Sequence, residues 1–328
     1  MSDFWDDEPL IKAQLQVVRN TIEQTVATAH GFIKPILEDH VNSTGKMLRP
    51  ALVLITNMIG NEDLSEDAIR VGSVVELIHL ASLVHDDIID GAKKRRGRAS
   101  VFAKVGAKQA VLAGDFLLAR ALMLTSGKER GMDSQVVSRA LTRLCESELD
   151  QDAGQGHFFI DRSTYLRRIG GKTASLFALS CYCGAALQEI DDATSKLAHH
   201  IGYCMGMAFQ IQDDILDYIG SSKKLGKHTG GDVKSGIPTL PLICALEIEN
   251  ELGKQELKNM LTGRKIPLDQ RTTTNILTLV EELGGIQKAQ FLAESYRKRA
   301  LEEIHRLGNP EVERMLTSLF EKLSARSV

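Results

Sequence analysis

The stretch Leu77-Ile78-His79-Leu80-Ala81-Ser82-Leu83-Val84-His85-Asp86-Asp87-Ile88-Ile89-Asp90 is apolar for most of its length and ends in three acids. A second stretch closes the same way, in Phe209-Gln210-Ile211-Gln212-Asp213-Asp214-Ile215-Leu216-Asp217. On a helix turning about 100° per residue, the first and last Asp of each group lie about 40° apart on one face and the middle Asp flanks them. Like charges held this close repel and push pKa values upward unless a cation sits among them. Oxygen donors with no Cys or His in the pattern favour Mg²⁺, which keeps several waters and completes its shell with substrate phosphates. The repeat therefore implies both Mg²⁺ and a diphosphate. One such group occurs on many solvated helix faces. Two copies flanked by Leu, Ile, Val, Phe and Met are different, because burying that many carboxylates without counter-ions is prohibitive.

Helical periodicity extends outward from these two stretches, with Gly stops and Pro, Ser or Asp starts at the joints. The pattern predicts helices at 8–28, 46–60, 64–90, 106–126, 133–154, 163–187, 191–219, 238–251, 254–262, 267–283, 286–307 and 310–325, and no convincing strand. All seven prolines lie outside residues 51–237, which leaves room for long uninterrupted helices. No Pro/Ser/Gly linker divides the 328 residues. The expected fold is all-α: a single domain over residues 1–328, a bundle of about ten to thirteen helices. Both acidic groups fall at the C-terminal ends of their helices, where the helix dipole disfavours carboxylates. A bound cation would compensate for that placement.

The net charge of −3 argues against a nucleic-acid partner, since no basic excess exists to release counter-ions. Five cysteines, at 145, 181, 183, 204 and 244, form no CxxC pair and read as small buried residues of a reducing compartment. The N-terminus lacks a basic segment followed by an apolar core, and no run approaches a membrane span. A soluble, cytoplasmic protein is expected.

Basic residues accompany the acids. Lys93-Lys94-Arg95-Arg96-Gly97-Arg98 follows the first group, one loop away from carboxylates that would hold metal. Guanidiniums there clasp phosphate oxygens bidentately, as Lys does less well. Lys46 and Arg49 stand at the entrance of a helix, where phosphate is favoured. His79 lies about 20° from Asp86 on the helix face. The glycine- and lysine-rich stretch 220–236 matches no Walker pattern and reads as a lid over a diphosphate, with Lys227 its candidate contact.

Taken together, the residues resemble the trans-isoprenyl diphosphate synthase family, the head-to-tail polyprenyl synthases. The resemblance spans nearly the whole chain: Gly45-Lys46-x-x-Arg49-Pro50; His79 with the HDDxxD and Arg95-Arg96-Gly97; Gly114-Asp115; Lys172-Thr173-Ala174; Phe209-Gln210-x-x-Asp213-Asp214-x-x-Asp217; and Gly226-Lys227 through Thr239-Leu240-Pro241. It implies the isoprenoid synthase fold, with helices around a central active-site cavity. It also implies that Asp86, Asp87, Asp90, Asp213, Asp214 and Asp217 hold a cluster of about three Mg²⁺ around an allylic diphosphate. Lys172, Lys227 and Arg95 would add positive charge there, with Thr173 and Gln210 lining the same site. Lys46, Arg49, His79 and Arg96 would bind isopentenyl diphosphate. Ionisation of the allylic diphosphate, attack by the isopentenyl double bond and loss of a proton would follow. A homodimer is implied, and transient membrane contact would serve release of an apolar product. Three positions depart from the family pattern: Ala99, Gly170-Gly171 and Ile237.

The growing chain is expected to run along the helix away from Asp86, meeting Ala81 and Ser82 first. Bulky residues here often block the channel in members making fifteen- or twenty-carbon products. Small ones predict an all-trans product of about six to eight isoprene units, with Ile78, Leu77 and Val74 as candidates for the floor. The alternatives are a short-chain geranylgeranyl or farnesyl diphosphate synthase, a class I terpene cyclase, a non-catalytic subunit, and a catalytic subunit dependent on a partner. The second DDxxD and the Lys46/Arg49 pair argue against the cyclase, and intact acids argue against the non-catalytic subunit.

Overall fold

A computed structural model describes residues 3–43, 45–60, 65–125, 134–188, 190–219 and 229–324. Among the described residues the fold is all-α apart from one two-stranded ribbon. The helices are α1 (Pro9–Ala27), α2 (Ile33–Asn42), α3 (Leu48–Asn57), α4 (Glu66–Ile89), α5 (Val101–Leu124), α6 (Ser134–Ala153), α7 (Arg162–Ile169), α8 (Ser175–Ala186), α9 (Asp192–Ile219), α10 (Gly231–Ser235), α11 (Leu240–Glu251), α12 (Glu256–Leu261), α13 (Gln270–Glu282), α14 (Gly285–Ile304) and α15 (Pro310–Ser324). A π turn, Gly170–Ala174, joins α7 to α8. The ribbon pairs β1 (Lys94–Arg95) with β2 (Arg98–Ala99) in antiparallel register.

The chain divides into two compact units. The first comprises residues 1–138, 176–202 and 305–316. Its α1 buries Ile11, Leu15, Val18, Ile22 and Val26, a stripe at helical spacing. In α3 every residue from Pro50 to Asn57 is buried. Asn57 satisfies its buried amide by donating to the Gly184 carbonyl at 3.1 Å. The ends of the chain are tied by Arg314, which donates to both oxygens of the buried Glu8 at 2.7 and 2.8 Å. Helix α4 is apolar almost all round and forms the centre of this unit. Its length and composition match a membrane span, yet 67% of its most apolar window is buried. That burial is what a core helix requires.

The second unit comprises residues 139–175, 203–304 and 317–328. Its core gathers Met207, Ile211, Ile215 and Tyr218 of α9 with Phe158, Tyr165, Leu240, Ile243 and Ile276. Helix α14 reaches α11 closely because Gly285 has no side chain: a Cβ there would stand 2.3 Å from the Pro241 carbonyl oxygen.

Several sequence expectations are corrected. Helix α2 and the short α10 were not anticipated, and the ribbon supplies strands where none was expected. Helix α2 is only ten residues long and has no side-chain cap at Phe32, so Pro35 in its first turn is its one start signal. Helix α5 begins at Val101 under a Ser100 cap and is broken at Gly106, whose φ of 77° and ψ of 169° are not helical. The expected start at 106 marks that break. Of the five cysteines only Cys145 is exposed.

Candidate active site

In the first unit, Ser65 caps the start of α4, accepting from the Ala68 amide at 3.2 Å. The helix stops at Asp90, and Gly91 turns the chain with a φ of 60°. Ser100 donates to the Ala92 carbonyl at 2.6 Å and also caps α5, which folds the intervening ribbon back onto the acids. Arg95 on β1 therefore reaches Asp87: its Nε lies 2.9 and 3.1 Å from the two carboxylate oxygens, and its terminal nitrogen 2.9 Å from Oδ1. Asp87 is only 1% exposed, while Asp86 is half-buried and Asp90 exposed. The middle carboxylate is thus turned inward onto a guanidinium.

His85 lies within 3.3 Å of the Val111 carbonyl and 3.5 Å of Asp115. A Cβ at Gly114 would stand 2.2 Å from the His85 ring, so the Gly-Asp pair of α5 is what admits the imidazole. Ala81 is fully buried. Ser82 is half-buried and its hydroxyl donates to the His79 carbonyl at 2.8 Å.

A basic pocket forms in the same unit. Met47 takes a left-handed conformation, φ 52°, just before α3. Trp5 holds the Lys46 carbonyl at 2.7 Å, and the Lys46 ammonium sits 4.0 Å from the Phe4 ring centre. The Arg49 guanidinium lies 5.1 Å from the Phe177 ring centre. Burial lowers its pKa to about 10, and the charge of the buried Glu76 opposes that fall, so it stays cationic at neutral pH. Arg96, also left-handed at φ 50°, donates to the Ser43 carbonyl at 2.9 Å. Its guanidinium occupies the place a side chain at Gly45 would fill. Burial drives the His79 pKa well below its usual value, and Arg49, Arg96, Arg95 and His40 push in the same direction. His79 is neutral at pH 7, a hydrogen-bonding group among cations. Arg49, His79 and Arg96 thus converge from three distant segments, with two guanidiniums beside one neutral imidazole.

In the second unit, α7 is capped by Asp161, whose side chain accepts from the Thr164 amide at 2.7 Å. Tyr165 on α7 donates its hydroxyl to Asp214 at 2.6 Å. Gln210, one turn before Asp214 on α9, donates to the other oxygen at 2.7 Å and accepts from Thr173 at 2.6 Å. Lys172 is paired with Glu148 of α6 at 2.9 Å. Asp217 accepts from the backbone amides of Gly231 and Asp232 at 3.1 and 3.0 Å.

Burial pushes the Asp214 pKa up to about 7. Its hydrogen bonds from Tyr165 and Gln210 oppose the rise, and Asp213 and Asp217 add to it. Asp232 is driven well above the carboxylate range by burial and then by Asp214, Asp217 and Asp213, with Lys172 opposing. Hard oxygen donors strained by mutual repulsion are what a divalent cation relieves, so this donor set fits Mg²⁺.

Residues 30–279 match the profile of the polyprenyl synthetase family. The chain belongs to the polyprenyl synthetase family. It is 31% identical, over 95% of its length and 88% of the relative's, to a Bacillus subtilis protein described as heptaprenyl diphosphate synthase component 2. The crystal structure of heptaprenyl diphosphate synthase from Staphylococcus aureus matches 97% of this chain and 99% of that one, with a TM-score of 0.89 and 31% identity. A polyprenyl synthase from Caulobacter crescentus, solved with calcium and isoprenyl diphosphate, covers 98% of this chain and 97% of its own, with a TM-score of 0.87 and 29% identity. This polyprenyl synthetase is a trans-prenyltransferase with the isoprenoid synthase fold.

Of the residues singled out in the sequence, Arg49, His79 and Arg96 come together in the first unit, while the Lys46 ammonium lies over Phe4. Lys172, Thr173, Gln210, Asp213, Asp214 and Asp217 come together in the second. Arg95 is engaged by Asp87. Lys227 lies outside the described residues. Tyr165, Glu148, Glu76 and Asp232 were not foreseen. A tyrosine on an apolar stripe signals a buried hydroxyl that needs a partner, and that signal was available for Tyr165.

Proposed function

We propose that residues 1–328 act as one domain that condenses an allylic diphosphate with successive isopentenyl diphosphate units. The product is an all-trans polyprenyl diphosphate of about six to eight isoprene units. The observation that carries this reading is the convergence of Arg49, Arg96 and His79, which, with Lys46 on the same segment as Arg49, would form a diphosphate site additional to the two acidic groups. An ionising enzyme without an acceptor diphosphate has no use for it.

Asp86, Asp87, Asp90, Asp213, Asp214 and Asp217 would hold Mg²⁺, about three ions per site, whose charge would stabilise a departing diphosphate. In this reading Lys172 and Arg95 would add positive charge to the allylic diphosphate and Thr173 and Gln210 would line its site; Lys227, the other residue proposed for that role, lies outside the described residues. Arg49 offers a fixed guanidinium fork to the isopentenyl diphosphate, and Phe177 beneath it limits how the fork turns. His79, being neutral, contributes a hydrogen bond and no net charge. Departure of the allylic diphosphate leaves a carbocation that the isopentenyl double bond attacks. The released diphosphate is the proton acceptor in this reading.

The protein is read as cytoplasmic and homodimeric. Val111, Leu112, Leu122 and Met123 on α5 are exposed apolar side chains available to a second subunit. The description of the Bacillus subtilis relative as a component favours a second reading, in which a different subunit completes the enzyme. Purified chain incubated with isopentenyl diphosphate, Mg²⁺ and allylic primers of several lengths separates the two. Condensation by the chain alone supports the first. Its absence, restored by a partner subunit, rejects it.

A further inference from the structure

Tyr165 and Thr173 are eight residues apart, which on a regular α-helix would set them about 80° apart around the axis. The π turn Gly170–Ala174, which contains Thr173, is wound more loosely than an α-helix. Each residue of such a turn advances by less than about 100°, so the offset narrows and both side chains reach the same strip of α9. There Tyr165 donates to Asp214 Oδ2 at 2.6 Å, and Thr173 donates to Gln210, which donates to Asp214 Oδ1 at 2.7 Å.

The turn is built for this. Gly171 packs where a Cβ would stand 1.8 Å from the Ser147 hydroxyl, and a Cβ at Gly170 would stand 2.9 Å from the Tyr203 hydroxyl. Ser175 donates to the Gly171 carbonyl at 2.5 Å, taking up an acceptor near the widened turn. Tyr165 is 3% exposed and Asp214 6%, so this hydrogen bond is shielded from water.

We propose that Tyr165 is a positioning residue for the second acidic group: its hydroxyl and the Thr173–Gln210 pair, brought into line by the π turn, fix the Asp214 carboxylate from both oxygens. The inference rests on the reading of Asp213, Asp214 and Asp217 as the metal-holding group. Partners of this kind set ligand orientation, and their loss costs about 10- to 100-fold in metal affinity. The phenol ring packs in the apolar core whether or not it carries the hydroxyl, so Tyr165→Phe removes the hydrogen bond and leaves the packing.

The experiment titrates Mn²⁺, with inorganic pyrophosphate present, into the full-length protein and follows free ion by electron paramagnetic resonance. The proteins are wild type, Tyr165→Phe, Asp213→Asn, Asp214→Ala and the Tyr165→Phe/Asp214→Ala double variant. In parallel, the Mg²⁺ concentration for half-maximal rate, kcat and the isopentenyl diphosphate KM are measured. Tyr165→Phe is expected to weaken Mn²⁺ binding about 10- to 100-fold and raise the Mg²⁺ requirement. The isopentenyl diphosphate KM should not move, and nothing should be added to the loss caused by Asp214→Ala. If Tyr165→Phe does not fold, Thr173→Val, which cuts the other arm, is read by the same criteria. Tyr165→Phe binding Mn²⁺ like wild type while Asp213→Asn loses it overturns the positioning role alone. Wild type and Asp213→Asn binding Mn²⁺ equally overturns the reading of the acids, and this inference with it.

Discussion

If the proposed product channel follows α4, a series of Phe substitutions along that helix should read product length like a ruler. From Asp86 to Glu66 the helix runs about 30 Å at 1.5 Å per residue. An isoprene unit adds four chain bonds of about 1.5 Å and so advances about 5 Å, close to one helical turn. A floor at Val74, about 18 Å from Asp86, would hold between about three and four units, so a product of about six units needs the tail to pass Val74 toward Glu66. Ser82 is about 6 Å and Ala81 about 7.5 Å along the helix from Asp86, whereas Ile78 is about 12 Å and Val74 about 18 Å away. A Phe at 82 or 81 should stop elongation earliest and give the shortest product of the series. A Phe at 78 should add about one unit to that, and at 74 about two, since each step is about one turn. Ala81, Ile78 and Val74 are all buried, so overpacking costs of about 1–3 kcal/mol are expected and thermal unfolding must show the variants folded. The assay is chromatography of products formed from isopentenyl diphosphate and a short allylic primer. If folded Ser82→Phe and Ala81→Phe give the wild-type product, or if length does not rise with distance from Asp86, the channel does not follow α4.

Arg49→Met should raise the KM for isopentenyl diphosphate about 10- to 100-fold, the loss of charge-assisted hydrogen bonds of about 1.5–3 kcal/mol, with Mn²⁺ binding unchanged; steady-state kinetics with each substrate varied would show otherwise. Gly114→Ala places a Cβ 2.2 Å from the His85 ring and should cost about 1–3 kcal/mol in denaturant unfolding; His85→Ala in the same chain should recover most of it. Folding lowers the His79 pKa below its ordinary 6.5, so the unfolded chain binds a proton that the native state refuses. Stability is therefore lost as pH falls below about 6.5, at up to about 1.4 kcal/mol per pH unit from this group. His79→Gln should flatten the fall between pH 7.5 and 5.5 and leave the remainder to His40, whose pKa is also lowered by burial; equal slopes in both proteins would reject the assignment.

The long helices were legible because apolar residues recur at helical spacing and Gly or Pro marks their ends. Helix α2 was not, since it is only ten residues long and its start is uncapped. The ribbon at 94–99 is too short to carry a pattern, and only the fold shows that it returns Arg95 to Asp87. At the site, the kinds of residue were legible and their partners were not. A helical wheel gives the direction of each Asp from its own helix. It is silent on Tyr165, which arrives at Asp214 from 49 residues upstream, and on Glu148, which meets Lys172 from α6. The Gly170-Gly171 departure became intelligible once it proved to be a π turn held against Ser147.

The middle Asp of each group has the same fate by different means. Asp87 meets a cation, Arg95, and Asp214 meets neutral donors, Tyr165 and Gln210. In both cases a carboxylate at a helix C-terminus, disfavoured there by the dipole, is buried and hydrogen-bonded through both oxygens. A side chain held that way has little rotational freedom, and it restrains the last turn of the helix that carries its neighbours. Asp86 and Asp90, or Asp213 and Asp217, are then presented from a backbone that cannot easily fray, even though helix ends usually do. In the proposed reading the DDxxD spacing combines two physical demands in one turn: all three acids would face the cation, and the middle one, hydrogen-bonded through both oxygens, also anchors that face to the protein.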